Sequence, residues 1–115
     1  MNASETPIPV AETSALIFRD FELEAPAEPM TEQELLNYLA EVIAYMLERK
    51  MDYLLSLLYR LDVSEQKINQ ALRLDNAENA PIALARLVVE RQKQRVATKK
   101  AYRDKNPSSW NWEMD

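Results

Sequence analysis

The side chains best suited to chemistry in this chain are a run of cations, Arg91, Lys93, Arg95, Lys99, Lys100 and Arg103, with Tyr102 set among them. On a helix such a run can lie along phosphates, each contact contributing by counterion release, with Tyr102 available to stack on a base. The competing reading is a solvated helix face, partly neutralised by acidic residues elsewhere in the chain. The whole-chain pI of about 4.8 favours that second reading over nucleic-acid binding. Two indoles, Trp110 and Trp112, follow in a polar tail and complete the set of candidate binding residues.

A second constellation is acidic. Glu34, Glu41 and Glu48 recur at intervals of seven and share a helix face. A carboxylate metal site in a bundle needs Glu-x-x-His ligands, and the chain has no histidine, so a solvated acidic face is expected. Tyr38, Tyr45, Tyr53 and Tyr59 read as packing residues with a hydroxyl at the rim. There is also no cysteine and no glycine. Thiol nucleophiles, disulfides, zinc fingers and glycine-rich nucleotide loops are thereby excluded, and helices must end on Asn, Asp or Lys. The expectation is a protein that is not an enzyme and has no cofactor.

The elements that must position these residues are helical. Leu54, Leu57, Leu58 and Leu61 recur at the helical period, and Ile68, Ala71 and Leu72 resume it after Ser64, a residue suited to cap a new helix. Two short helices therefore meet at a corner near residues 62–64. A helix-turn-helix reading would place Lys67, Asn69, Gln70 and Arg73 on a recognition helix, but the turn lacks glycine, and Asp62, Glu65 and Asp75 flank that helix with negative charge. Upstream, Thr31-Glu32-Gln33-Glu34 is a capping box that opens the first bundle helix. Its apolar positions, from Leu35 to Leu47, cover more than one stripe, so it should be buried on two sides. Arg49 and Lys50 predict a bend at 49–52, with Asp52 capping the next helix. Residues 75–78 read as a turn, and Pro81 marks the first turn of a long last helix. The fold expected is all-α, a small bundle of about four helices with a long C-terminal helix and extended termini.

The run LLYRLDVSEQKINQAL, followed by IALARLVVERQKQ, resembles a group of small bacterial helical proteins of no known activity that share an L-Y-R-[IL]-D-V-x-E-x-K core. The resemblance spans residues 32–104 and implies a cytoplasmic helical fold, with no site residues attached.

Three regions follow: residues 1–30 as an acidic, largely disordered arm, 31–105 as the helical bundle, and 106–115 as a tail. Four of the six prolines lie within the first 30 residues, spaced so that no helix of useful length is expected there. Charge is divided along the chain. Residues 1–34 hold eight acidic side chains against Arg19, net −7, and residues 86–105 hold eight basic side chains against Glu90 and Asp104, net +6. The arm should stay near the basic helix by charge alone. If Phe18, Phe21 and Leu23 also find an apolar groove, residues 16–23 dock and residues 1–12 do not. No apolar run reaches the length of a membrane span, and the N-terminus lacks the features of a secretory signal, so a cytoplasmic location is expected. A packed part this small suggests a protein partner or self-association. The function read from the sequence is a non-catalytic protein-interaction module, with nucleic-acid binding by the last helix as the alternative.

Overall fold

Thr31 starts a helix as its neighbours dictate. Its hydroxyl accepts from the Glu34 amide at 3.1 Å, and its own amide donates to Glu34 Oε1 at 2.9 Å. In this computed structural model, which describes residues 10–73 and 79–105, that helix is the second of five. They are α1 (Val10–Asp20), α2 (Glu32–Arg49), α3 (Met51–Arg60), α4 (Glu65–Ala71) and α5 (Ala80–Lys105). There is no strand among the described residues.

The expected count of about four helices is corrected to five among the described residues, because α1 forms in a stretch whose prolines predict no helix. Pro7 and Pro9 precede Val10, where a missing amide proton costs a helix nothing, and Pro26 follows the helix end. The interval between Pro9 and Pro26 is wide enough for three turns. Ile17, Phe18 and Phe21 are buried in the core and Leu23 packs at its edge, so the docking stretch extends back to the buried Thr13. Residues 1–9 lie outside the described residues.

The break between α2 and α3 is one residue wide. Lys50 leaves helical geometry at φ −142° and ψ 48°, yet its amide still donates to Met46 O at 2.7 Å and its carbonyl still accepts from Leu54 N at 2.9 Å. Asp52 was expected to cap α3, but Lys50 occupies that position without a side-chain bond and Asp52 falls in the first turn. There its carboxylate faces the positive end of the helix dipole. At the corner, Ser64 caps α4 by accepting from the Lys67 amide at 3.3 Å. Residues 75–78, read as a turn, lie outside the described residues.

A chain without glycine has to place other residues in the left-handed region. Glu22 (φ 56°) and Asp62 (φ 67°) do so, each just after a helix end. Around Asp62 the amide of Val63 donates to Leu58 O and that of Asp62 to Tyr59 O; around Glu22 the amide of Leu23 donates to Phe18 O and that of Glu22 to Arg19 O. Both are Schellman closures, a geometry that normally selects glycine. Asp62 fits the expectation of Asp, Asn or Lys, whereas Glu22 does not. Because the Glu22 carboxylate makes no hydrogen bond or ion pair among the described residues, Glu22→Gly is expected to stabilise the fold by about 1 kcal/mol. A higher midpoint of urea unfolding would show it, and Asp62→Gly should gain less because the Asp62 carboxylate also holds Arg91.

The core is one cluster, with α5 as its hub. α5 packs against α2, α1 and α4, and α2 also packs against α3. Leu84, Ala85, Val88, Val89, Gln92 and Val96 form a buried stripe down α5 at helical spacing, after which residues 98–103 are exposed. The first half of α5 is thus a core helix and the last turns reach beyond the core. Leu35, Leu39 and Ile43 of α2 and Leu54, Leu57 and Leu58 of α3 are almost fully buried in the same cluster. No helix among the described residues is long and apolar enough to cross a membrane.

Candidate interaction groove between α1 and α5

α1 is held on α5 by a polar lock. Gln92, fully buried in the middle of α5, donates its Nε2 to Asp20 Oδ2 at 2.6 Å and accepts through Oε1 from Arg95 Nη1 at 3.3 Å. Asp20 is mostly buried, and Arg19 and Arg95 approach it at 3.1 and 3.9 Å. The same carboxylate thus serves a buried amide and two guanidinium groups. This satisfies an amide that would otherwise be costly to bury. The Thr13 hydroxyl, buried two turns earlier on α1, has no hydrogen-bond partner among the described residues, which subtracts from the gain.

Beyond this lock α1 and the end of α5 enclose an open groove of about 890 Å³. α1 supplies Glu12, Ala15, Leu16 and Arg19, which fall at three- and four-residue intervals and so share one face. α5 supplies Arg91, Arg95, Val96, Thr98, Lys99, Lys100, Tyr102 and Arg103. Arg91, Arg95, Lys99 and Arg103 are each four residues apart, a row of cations rising about 6 Å per step along the helix. Ala15, Leu16 and Val96 add an apolar patch beside that row.

The structure therefore brings together six of the nine candidate binding residues: Arg91, Arg95, Lys99, Lys100, Tyr102 and Arg103. Lys93 is not among them. Two residues on from Arg91 it faces away, and its Nζ reaches Glu32 at 3.3 Å and Glu90 at 3.9 Å. Trp110 and Trp112 lie outside the described residues. Arg19 and Leu16 are lining residues that the sequence reading missed, because the signal for them was the helical spacing of α1.

The cations of the groove are not equally committed. Arg91 reaches across to the α3 end, where its Nε donates to Leu61 O at 3.1 Å and its Nη2 meets Asp62 at 3.3 Å. A cation there complements the negative end of the α3 dipole, so Arg91 ties the corner to α5. Arg95 is held by Gln92 and Asp20. Lys99, Lys100 and Arg103 form no ion pair with any described residue and are exposed. They are the part of the row left to meet an anion.

The other constellations fall elsewhere. Glu34, Glu41 and Glu48 stand exposed on α2, Glu34 being used in the capping box. No group of three or more acidic side chains among the described residues lies close enough to hold a metal ion. Tyr38 is half-buried against Phe18, ring centroids 6.0 Å apart, whereas Tyr45, Tyr53 and Tyr59 are more exposed than packing residues would be. Arg49 lies over the Tyr45 ring at 5.8 Å. In α4 the polar residues Lys67, Asn69 and Gln70 face solvent, and Ile68 and Ala71 fix the helix to the core.

No family model, curated protein or solved structure matches the sequence.

Proposed function

We propose that the chain is a non-catalytic protein-interaction module, acting in the cytoplasm, whose docking surface is the groove between α1 and α5. Its ligand is an acidic protein segment with an apolar side chain to set against Leu16 and Val96. The observation that carries this reading is what the cations of α5 already bind. Asp20 of α1, Glu32 of α2 and Asp62 of the α3–α4 corner are all carboxylates met by Arg95, Lys93 and Arg91 in turn. The free end of the row, Lys99 to Arg103, continues the same chemistry. The groove is also too open and too charged for a small apolar ligand, whose pockets are mostly apolar and enclosed.

A second reading, single-stranded nucleic acid along α5, is favoured by the even spacing of the cation row and by Tyr102 beside it. The net charge of −5 opposes it, since a polyanion longer than the groove meets repulsion from the rest of the surface. Anisotropy titrations of a labelled acidic, tryptophan-bearing peptide and a labelled single-stranded oligonucleotide separate the two. The peptide is expected to bind better, and reversing Lys99, Lys100 and Arg103 to Glu to weaken it by between about ten- and a hundredfold, at ~0.5–1 kcal/mol per exposed charge. Tighter oligonucleotide binding with a steep dependence on salt would replace this reading with the second.

A further inference from the structure

We infer that the chain carries its own ligand for this groove, in the segment 106–115. The inference rests on the groove being a site for acidic, aromatic-anchored segments, and it names one such segment. NPSSWNWEMD follows directly on α5, whose last turns form one wall of the groove. It contains two indoles, two carboxylates, Glu113 and Asp115, and no cation. This is the composition that complements an apolar patch beside Lys99, Lys100 and Arg103.

The lengths agree. From Lys105 back to Val96, nine residues of helix, is about 14 Å. Five residues of extended chain from Lys105 to Trp110 span up to about 17 Å, and seven to Trp112 up to about 24 Å. Either indole therefore reaches Leu16 and Val96 if the chain reverses direction after α5. Pro107 has no amide proton with which to continue the helical hydrogen-bond pattern, so the sequence after α5 is not bound to run on along its axis. Glu113 and Asp115 lie further along and have the reach to meet the cation row. A ligand tethered this closely has an effective concentration on the order of millimolar, so a weak complement suffices to occupy the groove.

The consequence is competition. A partner segment binds only by displacing 106–115, so its apparent affinity is lowered by the fraction of time the groove is filled. The tethered segment thereby sets a threshold, which only a ligand with more carboxylates or a better anchor passes.

Intrinsic fluorescence of the full chain tests this directly, because Trp110 and Trp112 are its two tryptophans. In the native chain the emission should be blue-shifted from that of the urea-unfolded chain, and the shift should not change on dilution. Leu16→Asp, and separately Lys99→Glu with Arg103→Glu, should move the emission back to the red. These side chains are half-buried or exposed, so the fold is retained and far-ultraviolet circular dichroism confirms it in the same samples. Native emission equal to the unfolded emission overturns the proposal. So does a blue shift untouched by the groove variants, and one lost on dilution reveals a second copy as the occupant instead. The underlying groove reading is tested apart from this in the full chain carrying Trp110→Ala and Trp112→Ala, titrated with a labelled acidic, tryptophan-bearing peptide. Peptide binding severalfold tighter than to the unsubstituted chain supports occupation by 106–115. Equal binding to both overturns the tethered ligand and leaves the groove as a site, and no binding to either overturns both.

Discussion

Phe18→Ala is expected to destabilise the fold by about 3–5 kcal/mol, the usual cost of removing a buried phenylalanine ring. Phe18 is 5% exposed, sits against the Tyr38 ring, and supplies the carbonyl that closes the end of α1. Its loss empties a site bounded by α1 and α2 and loosens the helix that forms one wall of the groove. Chemical unfolding monitored by circular dichroism reads the change as a lowered midpoint. If α1 were only a loosely attached arm, as its prolines suggest on first reading, the cost would stay within the range of about 0.5 kcal/mol seen for surface substitutions.

Asp20→Ala should cost about 1–3 kcal/mol, although a surface ion pair is ordinarily worth less than 1. The difference lies in what is left behind. Gln92 is fully buried, and without the carboxylate at 2.6 Å its amide has no acceptor. Arg95 loses its anion at the same time. Asp20→Asn keeps a side-chain oxygen able to accept from Gln92 and should recover part of the loss. Equal losses in the alanine and asparagine variants would mean that charge, not the buried hydrogen bond, holds α1 in place. Comparing the two by urea unfolding decides it.

Much of the helical layout was legible because it is written in local chemistry. The Thr31–Glu34 capping box, the Ser64 cap, the break at Lys50 and the start of α5 beside Pro81 each depend on a few neighbouring residues. The helix α1 was hidden by a rule applied too widely. Prolines forbid a helix that carries them in its interior, not one that begins after Pro9 and ends before Pro26. The spacing of Thr13, Ile17 and Phe21 was there to be read, four residues apart and all buried in the fold. Glu22 could not have been foreseen, because its backbone conformation is imposed by the closure of α1 and the burial of Leu23 beyond it.

The groove was half legible. The cation run was apparent in the sequence, but charge counting treats Lys93 as equivalent to Arg91 and Arg95. Helical geometry separates them: residues at four-residue intervals line the groove, and Lys93 turns to Glu32. The other wall required α1 to be placed first. Nor does the sequence reveal that Arg91 is taken by Leu61 and Asp62, a contact made across the corner of the fold.

The central claim, that the α1–α5 groove is where this protein receives an acidic partner segment, is tested most directly by mapping backbone amide shifts during titration with an acidic, tryptophan-bearing peptide. The changes predicted fall on residues 12–19 of α1 and 95–103 of α5, and reversal of Lys99 and Arg103 removes them. Shifts centred on the exposed tyrosines of α2 and α3 or on α4, or no shifts at all, would contradict it.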